Sequence, residues 1–213
     1  MKLLYTYIGI ILLLYSGLVF TENVDALTLA DGNEWELRKD KNGIKVYTRS
    51  YANSGILEYK AETTATTEIS NLIRVINDVE NFPAWVANCE SARVIENIND
   101  SLRIDYYKTD VPWPLDDRDI ALEVRTVTNT EKHYETIMNA VPKAIPEEED
   151  IVRIKKAKGK WILKKNDKNA IEITYQFYGD PEGNIPSWII NLFIVSGPYK
   201  TLSHLKEKCS MNE

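Results

Sequence analysis

A succession of short segments in which apolar and polar residues alternate is the feature that most constrains the fold of this 213-residue chain. Alternation with a period of two is typical of a strand that buries one face. The nine predicted strands cover residues 44–49, 57–62, 92–97, 102–108, 119–128, 133–141, 152–156, 160–165 and 170–178. Because so many consecutive strands form an antiparallel meander that curls, the sequence predicts a curved sheet whose apolar face must be covered.

The last segment of the chain is predicted to be a long helix that covers this face. Its apolar positions recur with the 3.6-residue period of a helix. They are Ile185, Trp188, Ile189, Leu192, Val195, Tyr199 and Leu202, and Ile190, Phe193 and Ile194 widen the stripe. Pro198 cannot donate a hydrogen bond to the carbonyl of Ile194, so we expect a bend at Gly197 and Pro198. The helix would then be a lid with these two residues as its hinge.

Two shorter helices are predicted upstream. Apolar residues at i, i+3, i+4 and i+7, from Ile69 to Ile76, predict an amphipathic helix that ends near residue 77. Residues 34–37 look like a short helix, followed by a turn at Asn42-Gly43 of the kind that joins the strands of a hairpin. Together with the sheet, these elements predict an α+β protein.

The first 22 residues differ from the rest of the chain. Lys2 is the only charge before a continuous run of apolar, Gly, Ser, Thr and Tyr residues from position 3 to position 20. This pattern is typical of a secretory leader, and an uncleaved membrane anchor is the alternative because 18 residues lie near the lower limit of a span. We therefore expect residues 1–22 to be a signal peptide or an N-terminal anchor and residues 23–213 to be an exported domain, periplasmic or secreted.

Composition narrows the classes of function. The chain is 44% hydrophobic, which suffices for one substantial core, and no internal repeat or linker divides it. Its 26 basic and 32 acidic residues give a formal net charge of −6, which argues against broad nucleic-acid binding. Cys89 and Cys209 are expected to be unpaired thiols, because two cysteines do not make a disulfide framework. We expect a monomer.

The chain is poor in residues that carry chemistry. It has two histidines, His133 and His204, and its sequence contains no metal-ligand spacing, no phosphate-binding glycine loop and no nucleophile elbow. The Asp116-Asp117-Arg118-Asp119 cluster is a candidate acid/base group. We expect Arg118 and Asp119 to form a structural network instead, because burying such charges without partners is costly. The sequence therefore predicts a binding protein that is not an enzyme and holds no metal.

A proline-rich stretch precedes that cluster. Pro112 and Pro114 flank Trp113, and neither proline can donate a backbone hydrogen bond to a sheet. The stretch is therefore predicted to be a loop at the rim of the sheet, with Arg118 and Asp119 at the start of the next strand.

Two motifs of the chain are distinctive. They are Pro112-Trp113-Pro114-Leu115 with Arg118-Asp119, and Asp180-Pro181-Glu182-Gly183-Asn184-Ile185-Pro186 with Trp188. Both resemble the START domain, the steroidogenic-acute-regulatory-related lipid-transfer domain. The resemblance extends from about Trp35 to Leu205. It implies a helix-grip fold, in which a curved antiparallel sheet closes over a long C-terminal helix around a tunnel for one lipid or other apolar small molecule. It implies no cofactor.

The tunnel lining is predicted from the family likeness and the apolar pattern. The candidate lipid-binding residues are Tyr106, Trp113, Leu122, Val124, Tyr175, Ile185, Trp188, Ile189, Leu192 and Phe193. One departure from the family matters. Sterol-binding members carry a buried arginine six positions beyond the arginine of the Arg-Asp pair, whereas Val124 occupies that position here and Arg125 is expected on the opposite face. The sequence therefore predicts no polar anchor for a ligand hydroxyl at this position, which argues against a sterol ligand.

Three functions stay open at this point. The first is an exported lipid-binding or lipid-transfer protein that makes transient membrane contact and is gated by its C-terminal helix. The second is an aromatase- or cyclase-like enzyme that uses the same cavity and needs an inward acid/base pair. The third is a ligand-free interaction module whose interior is filled with side chains.

Overall fold

Ten strands form one curved sheet within the part of the chain that the structure, a computed structural model, describes: residues 34–110, 116–183 and 185–210. The strands are β1 Glu36–Lys41, β2 Ile44–Ser50, β3 Leu57–Ala65, β4 Cys89–Asn99, β5 Leu102–Thr109, β6 Asp117–Asn129, β7 His133–Ala140, β8 Ile151–Arg153, β9 Lys156–Lys165 and β10 Ile171–Asp180. The order across the sheet is β1-β2-β3-β10-β9-β7-β6-β5-β4, and the short β8 pairs in parallel with β6. The predicted α+β class with a curved antiparallel sheet is confirmed.

The first strand corrects one prediction. Residues 34–37 do not form a helix; instead β1 begins at Glu36 and pairs with β2, so that Leu37 lies opposite Tyr47. The turn between the two strands has positive φ at Asn42 (54°) and Gly43 (70°), as a two-residue hairpin turn requires. Four residues are too few for periodicity to distinguish helix from strand, and pairing with β2 decides the conformation.

The bounds of the strands differ from prediction mainly around residue 155. The strand expected over residues 152–156 is divided between β8 and the start of β9. Irregularities in strand register occur in β1–β2, β4–β5 and β6–β7. Such bulges increase local twist, so they contribute to the curvature of the sheet.

The helix predicted to end near residue 77 is present as α1, Ile69–Asn77. Its apolar face buries Ile69, Leu72, Val75 and Ile76. A 3-10 helix over Val79–Ala84 follows and leads to the buried Trp85. These two helices cover one part of the concave face of the sheet.

The C-terminal segment is two helices, not one long helix. α2 spans Ser187–Phe193, α3 spans Ser196–Ser210, and a turn at residues 194–195 separates them. The predicted bend therefore lies a few residues before Gly197 and Pro198, which belong to the first turn of α3. Proline is tolerated in a first turn because its missing N–H would have no helical partner there, so the helix stops before Pro198 and restarts around it.

α3 closes the rest of the concave face against β2 and β3. Its residues Leu202, Leu205 and Cys209 are buried in the core. Cys89 and Cys209 are free thiols. Among the described residues, no helix is long and apolar enough to cross a membrane.

Candidate functional site

An inner cavity of about 190 Å³ lies between the concave face of the sheet and the helices that cover it. Inward-facing residues of the central strands supply most of its wall, because side chains on a strand alternate between the two faces. Its apolar and aromatic lining comprises Tyr59, Ile76, Phe82, Trp85, Val86, Tyr107, Ile120, Leu122, Val124, Met138, Ile154, Trp161, Tyr175 and Phe177. A lining of this kind suits an apolar ligand.

Aromatic rings make one side of the cavity continuous. Trp161 and Tyr175 stack with centroids 4.1 Å apart and planes within 4° of parallel. Tyr59 meets Tyr175 edge to face at 5.4 Å, and Trp85 lies 6.2 Å from Trp161. Burial raises the pKa of Tyr59 and Tyr175, so both phenols stay uncharged. This aromatic wall consists of Tyr59, Trp85, Trp161 and Tyr175.

A charged pair lies in the wall at β5. The Nε–H of Arg103 donates to both carboxylate oxygens of Asp105 at 2.9 Å, and Arg103 Nη1 donates to Asn77 Oδ1 at 2.8 Å. Tyr107 donates its phenolic hydrogen to Asp105 Oδ2 at 3.0 Å, while Asn77 also bonds Tyr134. Asp105 is fully buried, and burial raises the pKa of its carboxyl whereas Arg103 lowers it. These five residues form one connected polar network.

An outer cavity of about 270 Å³ continues from the inner one toward α2. The residues common to both cavities are Tyr59, Val86, Ala87, Ile154, Tyr175, Phe177 and Thr201. Beyond them the outer cavity is bounded by Ile190 and Phe193 of α2, by the turn residue Ile194, and by Gly197 and Pro198 of α3. The interior is therefore adjacent to the surface at the junction of α2 and α3.

The structure places three of the predicted lipid-binding residues, Leu122, Val124 and Tyr175, in the wall of the inner cavity. Phe193 bounds the outer cavity, although 58% of its surface is exposed. Trp188 lines neither cavity and is 66% exposed, because it lies on the side of α2 that faces away from the protein. Ile185 and Ile189 are half-buried and line neither cavity. Trp113 and the side chain of Leu192 lie outside the described residues.

Tyr106 is a correction. Its neighbours Asp105 and Tyr107 face inward, so Tyr106 faces the other side of the sheet, where it is buried and donates to Asp119 Oδ2 at 3.2 Å. Burial, together with the Asp119 carboxylate, raises the pKa of Tyr106 to about 12. Tyr107 takes the place in the cavity wall that we predicted for Tyr106.

Arg118 and Asp119, which we expected to have a structural role, both make polar contacts, but as neighbours in β6 they do so on opposite faces of the sheet, with Asp119 on the face of Tyr106. Arg153 donates Nε–H and Nη2–H to the two oxygens of Asp119 at 2.6 and 2.8 Å, and it also donates to three loop carbonyls between residues 142 and 146. Arg118 donates to the carbonyls of Asp116 and Pro181. These contacts tie the start of β6 to the loop before β8 through Asp119 and Arg153, and to the turn after β10 through Arg118.

The residues that sequence reasoning missed are Asn77, Arg103 and Asp105. Arg103 is the partner of Val124 in the β5–β6 register, so the arginine lies one strand away from the family position that valine occupies. Arg125 is exposed and pairs with Glu123 at 3.3 Å. The signal was the alternation Arg103-x-Asp105-x-Tyr107 within a predicted strand, which puts all three residues on one face.

The candidate acid/base residues do not reach the cavity. His133 pairs with Glu135 at 3.5 Å, Asp117 pairs with Lys108 at 3.3 Å, and none of these four residues lines either cavity. Within residues 34–110, 116–183 and 185–210, no group of three or more His, Cys, Asp or Glu side chains is arranged to hold a metal ion.

Comparison with known proteins agrees with this architecture. The START domain model matches residues 21–213 of the chain. An uncharacterized protein of Pseudomonas aeruginosa is 31% identical over 173 residues, which is 81% of this chain and 85% of that protein. The phosphatidylcholine transfer protein of Rattus norvegicus is 23% identical over 183 residues, 84% of this chain and 85% of that protein. The crystal structure of a STAR-related lipid transfer protein from Xanthomonas axonopodis aligns with a TM-score of 0.76 and 30% identity, over 84% of this chain and 99% of that one.

Proposed function

Because this chain belongs to the START domain family, we propose that it binds one lipid in the inner cavity and carries it between membranes. The observation that carries the proposal is the combination of an aromatic, apolar wall with one connected polar network inside the sheet. Apolar pockets with a few placed polar groups are typical of small-molecule sites. The similarity to proteins named for lipid transfer supports the same conclusion.

The proposed lipid lies with its polar part in the inner cavity, on the side of the polar network, and its hydrocarbon part toward α2. The inner cavity, about 190 Å³, is smaller than the roughly 300–1,000 Å³ usual for ligand pockets. A lipid chain therefore extends past Tyr59 and Phe177 into the outer cavity, whose boundary at Ile190, Phe193 and Ile194 is apolar. The polar network lies in the inner cavity, so the polar part of the lipid stays away from the apolar boundary of the outer cavity.

We propose binding without chemical conversion. Arg103 and Asp105 are bonded to each other, which leaves neither positioned as a free base. Cys89 also lines the inner cavity, but burial raises the pKa of its thiol to about 11, so the nucleophilic thiolate is scarce at neutral pH. An enzyme of the aromatase or cyclase kind needs an acid and a base that face the cavity. The charged residues at this wall, Arg103 and Asp105, are instead bonded to each other as an ion pair.

The proposed docking surface is α2, and its occupant is a lipid bilayer. Trp188 and Phe193 are exposed, and no residue of α2 is charged. The surface is continuous with the outer cavity through Phe193, so a bilayer in contact with α2 would meet the route to the interior. Tryptophan favours the interface between hydrocarbon and water, which suits transient contact.

We also propose that residues 1–22 direct the protein out of the cytoplasm, into the periplasm or the medium, or hold it on a membrane. The support is the lone Lys2 before the apolar run, which matches the pattern of a leader.

Blocking the cavity tests the proposed function. Val124→Trp should fill the inner cavity and abolish saturable binding of fluorescent phospholipid, fatty-acid and sterol probes, at least one of which should bind the native protein. Arg125→Trp, at the adjacent exposed position, is the matched control and should bind normally. Circular dichroism and melting must show that both variants fold. Normal binding by folded Val124→Trp would place the ligand elsewhere, and conversion of a probe by the native protein would favour the enzyme.

A further inference from the structure

Two buried polar atoms, each on a residue that lines the inner cavity, have no hydrogen-bond partner among the described residues. They are the indole nitrogen Nε1 of Trp85 and the hydroxyl oxygen Oγ1 of Thr136. The two residues are 2% and 1% exposed, and both line the inner cavity. A buried polar group without a hydrogen-bond partner lowers the stability of the fold, so such groups are rare in native protein cores. A third such atom, His133 Nε2, belongs to a residue that does not line the cavity and lies 3.5 Å from Glu135.

Both of these residues, Trp85 and Thr136, are neighbours of Trp161 in the cavity wall. Thr136 lies opposite Trp161 in the β7–β9 register, and the ring of Trp161 lies 6.2 Å from that of Trp85. Tyr134, two positions before Thr136 on the same face of β7, bonds Asn77 and through it joins the polar network. The network therefore passes beside Thr136 without using its hydroxyl.

The wall around these groups offers hydrogen-bond donors but no net charge. The positive charge of Arg103 is matched by Asp105, and the indole N–H of Trp85 can only donate. A carboxylate or phosphate buried here would lack a counter-charge, which is costly in a low-dielectric interior. An uncharged oxygen would complete the missing hydrogen bonds at no such cost.

We propose that Trp85 and Thr136 bind an uncharged acceptor oxygen of the lipid, the carbonyl of an ester or a ketone. This inference rests on the proposed function and narrows its ligand class to lipids that bury a neutral carbonyl rather than a free acid. The hydrocarbon part then lies along the aromatic wall, and Arg103 stays in its pair with Asp105.

Three probes with related hydrocarbon chains test the proposal: methyl oleate, oleate and 9-octadecene. Each probe is titrated against the full chain loaded with diphenylhexatriene, and the fall in diphenylhexatriene fluorescence gives the affinity of the probe. Methyl oleate should bind about tenfold more tightly than either other probe, because it alone completes the bonds without burying a charge. Thr136→Val keeps the shape of the side chain and removes its hydroxyl. It should lower the affinity for methyl oleate about fivefold, which corresponds to the loss of one hydrogen bond, and leave the affinity for 9-octadecene unchanged.

Melting without ligand gives a second, independent measurement. Thr136→Val removes an unpartnered hydroxyl, so its melting temperature should equal or exceed that of the native protein. Thr63→Val is the matched control, because Thr63 donates to the Gly43 carbonyl at 2.8 Å and its loss should lower the melting temperature. Equal affinity of the ester and the alkene, or a Thr136→Val variant that melts as early as Thr63→Val, would overturn this inference alone. Failure of every probe to displace diphenylhexatriene would overturn the proposed function and the inference with it.

Discussion

At the scale of single residues, the buried pair Arg103–Asp105 is the most consequential feature. Replacing one partner of such a pair leaves an uncompensated charge in the core, at a cost of about 3–5 kcal/mol. Arg103→Met should therefore destabilise the fold strongly, whereas Arg103→Met with Asp105→Asn should recover much of the loss because no charge remains. Chemical denaturation of both variants is the measurement, and equal instability would contradict a charge-based cost.

The same pair predicts a dependence on pH. Burial raises the pKa of Asp105 above its unfolded value, and Arg103 opposes that shift. In Arg103→Met the opposing charge is gone, so the folded-state pKa rises further. A raised carboxyl pKa favours the folded state at low pH and loses that contribution as the pH climbs from the unfolded value of 3.8 through the folded one. Arg103→Met should be less unstable relative to the native protein at pH 5 than at pH 7.5, and a difference that does not change with pH would contradict this.

Gly159 is a second residue with a predictable role. A Cβ atom there would approach Phe177 Cδ2 to 2.5 Å and the Gln176 carbonyl oxygen to 2.9 Å. Gly159→Ala should cost about 1–3 kcal/mol by overpacking and should push the Phe177 ring, which borders both cavities, out of place. Gly197→Ala is the control, because a Cβ added there would have no described atom from outside its own helix within 4 Å, and alanine favours the helix. Equal melting temperatures of the two variants would show that the ring yields freely.

At the scale of elements, α2 is the proposed membrane surface. Trp188→Ser and Phe193→Ser should each lower co-sedimentation with phosphatidylcholine vesicles several-fold, because a large apolar side chain no longer enters the interface. Trp188→Ser should leave probe affinity unchanged, since Trp188 lines neither cavity. Val127→Ser, which removes a 47% exposed apolar residue from β6, is the control and should bind vesicles like the native protein. If both α2 variants bind vesicles as the native protein does, α2 is not the membrane-binding surface.

We propose that the junction of α2 and α3 controls ligand exit, because the outer cavity reaches it and Pro198 lies in the first turn of α3. Pro198→Ala supplies an N–H that can bond the Ile194 carbonyl, which favours one continuous helix by about 0.5–1.5 kcal/mol. Because a stiffer junction opens less often, probe release in stopped flow should slow while equilibrium affinity changes little. Release that is unchanged or faster would show that the junction does not control exit.

At the scale of the whole molecule, the leader proposal can be tested by fractionation. The full chain should be exported or membrane-associated, whereas a chain that lacks residues 1–22 should stay in the cytosol, because the apolar run after Lys2 is the export signal. An N-terminal mass measurement of the exported protein separates cleavage from anchoring. Recovery of the full chain, uncleaved, from the cytosol would contradict the proposal.

The sequence by itself determined the sheet and the family. Period-two alternation predicts strands because it reflects which side of a strand is buried, and the motifs at residues 112–119 and 180–188 carry the family likeness. The Asn42-Gly43 turn was predicted correctly, although the strand before it was predicted to be a helix. These signals are local in the chain, and each is readable without knowing what lies across the sheet.

Only the tertiary structure decided which face each strand turns inward and where the last helix breaks. Tyr106 and Tyr107 are equally plausible as lining residues until β5 is placed between β4 and β6. The pairing of β5 with β6 puts Arg103 and Asp105 on the inner face of the sheet, where Arg103 lines the cavity and contacts Asn77, and Asp105 is buried against Arg103 and Tyr107. The orphaned Trp85 and Thr136 become visible only once burial is known, because the absence of a partner depends on every element packed around them.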